Sequence, residues 1–214
     1  MATTKMMTAL FARRTTLLRR HASTAALLAK TATESWIQQY VVDFNLCPFA
    51  KKSAYAVEVF ESGGGASQSE IVDFIQEKVH ELSSIEPSSD SKPNSMLVFP
   101  TIPEFVTYSN FMQFYDSLEY WQLEHADLKY NPDSMDAKVF LFDFHPEADM
   151  RFKTPWPTLH LIRSCDIETA RMGGIKVSQR ISDNNKVIIA EHSDKLLETR
   201  EQCLVNFHAA LKDE

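Results

Sequence analysis

Three short stretches carry the residues whose types and spacing could do chemistry. The first is Asn45-Leu46-Cys47-Pro48-Phe49-Ala50-Lys51-Lys52, where a thiol precedes a proline and two lysines follow one turn later. If Pro48 opens a helical turn, Cys47 takes its N-cap, and a helix N-terminus and nearby cations both stabilise a thiolate. A free cysteine also serves as a small buried filler. The second stretch is Asp143-Phe144-His145-Pro146. Ligands of open α/β sheets bind beyond the carboxyl ends of strands, and an imidazole there can act as general base, metal ligand or anion donor. The plainer role for His145 is to hydrogen-bond the turn that Pro146 fixes. Asp143, inside an apolar run, needs a partner if it faces the core, and Arg163 or Lys153 could supply one.

The third stretch is Pro155-Trp156-Pro157-Thr158-Leu159-His160-Leu161-Ile162-Arg163. Two prolines around a tryptophan make a stiff approach to a strand. Along it, His160 and Ile162 share one face and Leu159 and Leu161 the other. His160 can be a satisfied core residue or a functional imidazole. Arg163 ends the strand, where it can clamp a carboxylate or phosphate bidentately or join a structural ion pair.

Taken together, these residues describe an enzyme site with Cys47, His145 and His160 as its catalytic groups. His145 would be the base and Cys47 the nucleophile, while Asn45, Lys153 and Arg163 bind a small anionic substrate. A variant makes Cys47, His145 and His160 three ligands of a zinc ion with an open fourth position. The competing reading is a noncatalytic binding or assembly module that offers the same loops to a protein partner. A third reading leaves all of these residues to packing and turns. Gly63-Gly64-Gly65 lacks the Lys-Ser/Thr of a phosphate loop, and neither a G-x-S-x-G elbow nor an H-E-x-x-H pair occurs.

The elements that must hold these residues are legible from periodicity. Thr31 and Glu34 read as a capping box before a helix carrying Trp36, Ile37, Tyr40, Val41 and Phe44, which Pro48 ends. Residues 55–60 read as a strand. Ser67 and Glu70 form a second capping box, followed by Ile71, Phe74, Ile75, Val79 and Leu82 on one helical face. Residues 83–95 read as a polar loop and 96–99 as a short strand. Ser109 can cap a helix bearing Phe111, Phe114, Tyr115, Leu118 and Trp121. Residues 138–144 are apolar on both faces apart from Asp143, which predicts a central strand. Strands at 158–162 and 187–190 follow, with a helix over 166–172 and a last helix capped by Ser193. The string predicts an α/β fold with a single mixed, mainly parallel sheet and flanking helices. A ferredoxin-like α+β sandwich is the alternative.

Composition sets the context. The 214 residues carry 22 Lys+Arg against 29 Asp+Glu, a net charge of −7. Residues 1–33 hold Lys5, Arg13, Arg14, Arg19, Arg20 and Lys30 and no acid, among Thr, Ser, Ala and Leu. Such a basic, acid-poor, amphipathic segment reads as an organelle transit peptide, which favours the mitochondrial matrix over the plastid stroma. Residues 34–214 then form a single globular domain that is strongly acidic, which argues against nucleic acid as a partner. No apolar run is long enough to span a membrane. Cys47, Cys165 and Cys203 show no C-x-x-C spacing and suit a reducing compartment.

The blocks Asn45 to Ala50, Phe144 to Pro146 and Pro157 to Arg163 together resemble the signature blocks of an uncharacterised bacterial and plant family, domain of unknown function 1415. The resemblance runs from about Trp36 to Ala170. It implies a single domain and places Asn45, Cys47, Pro48, His145, His160 and Arg163 at signature positions, without assigning an activity or cofactor. Family members usually approach the last block through an Asn-Arg-Ser-Pro-type sequence, where this chain has Phe152-Lys153-Thr154-Pro155. If that approach contacts a ligand, Lys153 keeps the charge but not the planar fork of arginine.

Overall fold

The computed structural model describes residues 24–47, 50, 53–61, 66–86, 92–124, 139–148, 154–171 and 175–210. In chain order they form α1 (Thr24–Trp36), which runs on into a π-helical stretch (Ile37–Val42), then β1 (Ser53–Val59), α2 (Gln68–Ser83) and β2 (Lys92–Val98). A 3-10 turn (Pro103–Phe105), α3 (Tyr108–Glu124), β3 (Val139–Phe144), β4 (Thr158–Arg163), α4 (Ser164–Arg171) and α5 (Ile175–Ala210) complete the chain.

Among the described residues the strands form one sheet in the order β1-β2-β4-β3. It is mixed and flanked by helices, as expected, but it is not mainly parallel. Only β1 and β2 pair parallel, while β4 pairs antiparallel with both β2 and β3. Parallel neighbours need a long crossover, usually a helix, and none is described between β3 and β4. The chain instead turns back and inserts β4 between β2 and β3. The element order β-α-β-α-β-β also departs from the β-α-β-β-α-β of a ferredoxin-like sandwich. β3, expected at the centre, lies at one end of the sheet. Its run is sealed only at Val139, Phe140 and Leu141, and Phe142 is 37% exposed.

Alternation along the strands gives the sheet two unlike faces. On one, Leu97, Leu141, Leu159 and Leu161 pack under Ile71, Ile75 and Val79 of α2 and Phe111, Phe114 and Leu118 of α3. On the other, Val57, Met96 and Val98 meet Ala29 and Trp36 of α1, Ile37 and Tyr40 of the π-helical stretch, and Leu196 of α5.

Several helix boundaries differ from expectation. Thr31 does not cap a helix, because α1 is already formed at Thr24 and buries Ala26, Ala29 and Thr33. The folded part therefore takes in residues expected to belong to the transit peptide, whose remaining length before Thr24 lies outside the described residues. The helix does not run to Pro48 either. It ends at Val42, and Asn45 takes φ 55°, a left-handed conformation that asparagine tolerates better than most residues. The strand expected at 187–190 is part of α5, where Val187 is exposed and the small helix penalty of β-branched residues is overridden by context. The expected Ser193 cap adjoins a real break, since His192 is non-helical (φ −125°, ψ 17°).

The Ser67 capping box forms as read. The Ser67 hydroxyl accepts from the Glu70 N–H at 3.3 Å, and the Glu70 carboxylate accepts from the Ser67 N–H at 2.9 Å. Replacing Ser67 by alanine should cost about 1 kcal/mol in urea unfolding with an unchanged m value.

Candidate functional site

His160 lies on the face of β4 away from the leucines, directly across from Met96 on one side and Phe142 on the other. The rings of Tyr55, Phe144 and Phe142 surround it, with centroids at 5.8, 5.9 and 6.5 Å. Its Nε2 meets Asn94 Oδ1 at 2.9 Å, and Asn94 Nδ2 donates to the Lys92 carbonyl at 2.9 Å. The second bond fixes which end of the amide is oxygen, so Asn94 must accept and His160 Nε2 must carry the hydrogen. Burial lowers the imidazole pKa from 6.5 to about 4, so the ring is neutral near pH 7. Nδ1 then presents a lone pair. It has no hydrogen-bond partner among the described residues, and it is not one of the sealed polar atoms.

Cys47 reaches this neighbourhood through Tyr55. The Tyr55 hydroxyl is pushed well above its usual range, mainly by burial and further by the nearby Cys47, against a hydrogen bond with Ser53 that lowers it. Cys47 is half-buried, and its carbonyl accepts from Ala50 N–H at 3.0 Å. Lys51 and Lys52 lie outside the described residues. Asn45 is exposed, and its backbone conformation accounts for its residue type. The Cys47 loop is held from α5: Asn185 Nδ2 donates to the Leu46 carbonyl at 2.7 Å. At the break in α5, His192 packs against Phe44 at 5.4 Å, and beyond it Lys195 Nζ lies 5.5 Å over the same ring.

His145 is on the opposite side of the sheet and is fully buried. Its ring lies between Tyr108 and Phe111 of α3, at 5.4 and 5.6 Å. The Glu147 N–H donates to Nδ1 at 3.1 Å, so Nε2 carries the hydrogen and donates to the Phe105 carbonyl at 2.9 Å. Burial holds this imidazole below its usual pKa, although the Phe105 bond favours the protonated form. Both nitrogens are used, so this histidine has no lone pair for a substrate. The neighbouring Glu147 carboxylate accepts from the Tyr108 N–H at 2.9 Å and supplies the cap expected of Ser109. Tyr108 also donates to Asp143 at 3.2 Å, while Arg163, one of the two expected partners, pairs with Asp166.

Arg163 is buried, and its Nη2 has no hydrogen-bond partner among the described residues. Nε pairs with Asp166 at 2.7 Å, and Nη1 donates to the carbonyls of Ile85 at 2.9 Å and Glu86 at 3.4 Å. It therefore ties the end of α2 to the β4–α4 corner. Lys153 lies outside the described residues. The fold thus sets His160 against Tyr55, with Cys47 near enough to act on the Tyr55 hydroxyl, and leaves His145 and Arg163 elsewhere. Among the described residues no group of three His, Cys, Asp or Glu is placed to hold a metal ion, so Cys47, His145 and His160 do not make the expected zinc set. Asn94, Tyr55 and Asn185 were not singled out from sequence.

A family model described as protein of unknown function (DUF1415) matches residues 28–198. No curated protein and no solved structure matches the chain.

Two outcomes separate the histidines. The unfolded chain binds a proton at His160 below pH 6.5 and the folded one only near pH 4. Stability present above pH 6.5 should therefore be lost as the pH falls toward 4, by on the order of 3 kcal/mol, and His160→Gln should flatten that slope in pH-dependent urea unfolding. His145→Ala should cost roughly 2–4 kcal/mol by the same measurement, because it opens a cavity and strands the Phe105 carbonyl and Glu147 N–H. It should leave Cys47 alkylation unchanged.

Proposed function

The chain belongs to the DUF1415 family, and for this member we propose a small organellar enzyme that works with Cys47 and His160 on the aromatic half-face of its sheet. The observation that carries the reading is the lone pair on His160 Nδ1, which has no hydrogen-bond partner among the described residues, beside a tyrosine that also senses Cys47. A neutral imidazole accepts a hydrogen bond through Nδ1. At a pKa of about 4 it is a weak base that positions a proton more than it removes one, and a thiol held nearby is a candidate nucleophile. Asn94 holds the ring in the tautomer this needs, Tyr55 packs against the imidazole at 5.8 Å, and the Asn185 bond to Leu46 steadies the thiol loop. Arg163 has no part in this version of the site. The basic segment before Thr24 supports import, with the mitochondrial matrix as the destination.

A noncatalytic binding module remains the second reading. Exposed Phe142 beside His160 favours it, since an apolar ring at an open face is also what a partner surface offers.

The test is whether the two groups share one site. In a Cys165→Ser, Cys203→Ser background, Cys47 is alkylated with iodoacetamide while the imidazole nitrogens are followed by 15N NMR. The His160 resonances should move on alkylation and those of His145 should stay. An unmoved His160 signal at full Cys47 modification would sink the proposal.

A further inference from the structure

We infer that the ligand of this face is a non-anionic hydrogen-bond donor, an O–H or N–H group carried on a flat aromatic or apolar body. The inference rests on the reading of the His160 face as the site and replaces the small anion expected from sequence.

The polarity of the site follows from one chain of hydrogen bonds. The Lys92 carbonyl takes the Asn94 NH2, which turns Asn94 Oδ1 toward His160 and requires a hydrogen on Nε2. What is left to a ligand is the Nδ1 lone pair, which can only accept. A carboxylate or phosphate brought against it would set lone pair against lone pair unless the ring took up a proton. Around the ring, the groups described are Tyr55, Asn94, Phe142 and Phe144, none of them cationic. The arginine expected to compensate an anion is on the leucine side of β4, bound to Asp166. The aromatic groups supply the rest of the recognition. Phe142 is 37% exposed, and Tyr55 and Phe144 are half-buried, so three rings border the imidazole with area still to lose to a ligand. Ring faces carry negative charge density, which disfavours an anion and favours another ring or a donor edge.

The probes are phenol, anisole and benzoate, which share a ring and differ in the group offered to Nδ1. Each is titrated into the full-length, 15N-histidine-labelled chain at pH 7. Phenol should shift His160 Nδ1 and bind about tenfold more tightly than anisole, the value of one net hydrogen bond, and benzoate should bind more weakly than phenol. His160→Phe keeps an aromatic body at this position and should abolish the preference for phenol over anisole. Benzoate binding at His160 as tightly as phenol, or anisole matching phenol, would overturn the ligand class while leaving the face as the site. No response of His160 to any of the three would overturn the site itself, and the inference with it.

Discussion

Water must be kept from one face of the sheet, and much of the structure follows from that. Leu97, Leu141, Leu159 and Leu161 pave this face at 2% exposure or less, and burying each contributes roughly 1.5–3 kcal/mol. Helices α2 and α3 form the cover. The cover has two ends, and each is closed by a buried polar residue that ties neighbouring segments together. At one end of the β3–β4 ladder, Arg163 ties the chain leaving α2 to Asp166. At the other, His145 joins the 3-10 turn and the start of α3 through Phe105 and Glu147. Neither residue is surplus to the fold, which explains why two side chains with chemical potential are not in the candidate site.

The two histidines make the contrast sharp. Both are neutral, and both carry the hydrogen on Nε2. They differ in what meets Nδ1: a backbone N–H for His145, and no protein group among those described for His160. A buried imidazole with two partners is a structural strut, whereas one with a single partner fixed by a rigid amide is a directed acceptor. Neither distinction can be drawn from the residue type.

Patterns read from sequence succeeded where one local interaction decides. The Ser67–Glu70 box needs only residues three apart, and the alternation that put His160 opposite Leu159 and Leu161 needs only one extended strand. Predictions failed where distant residues decide. Residues 92–95 read as loop because they are polar, yet they begin β2, and buried Asn94 is satisfied because His160, on the neighbouring strand, donates to its Oδ1. The apolar run of β3 suggested a central strand, but centrality is set by the return of the chain as β4. The Val187-Ile188-Ile189 run is strand-like in composition and helical in context. Asn185 was invisible because its partner, Leu46, is 139 positions away.

The position of β4 has a kinetic side. It is the last strand in chain order, yet it occupies an interior place, with β2 on one edge and β3 on the other. Until it inserts, β3 has no neighbour in the sheet, and β1 with β2 forms only a two-stranded ribbon. Completion of the sheet is therefore a long-range closure, the class of step that slows folding. His160 rides on that strand. Its aromatic surround draws on β1 and β3 together, so the ring enclosure is assembled by the same event that joins the two halves of the sheet. A chain caught before that event would have helices and a leucine surface but no site. A mutation at its proline-rich approach that holds β4 back would leave most secondary structure in place while the enclosure around His160 failed to form.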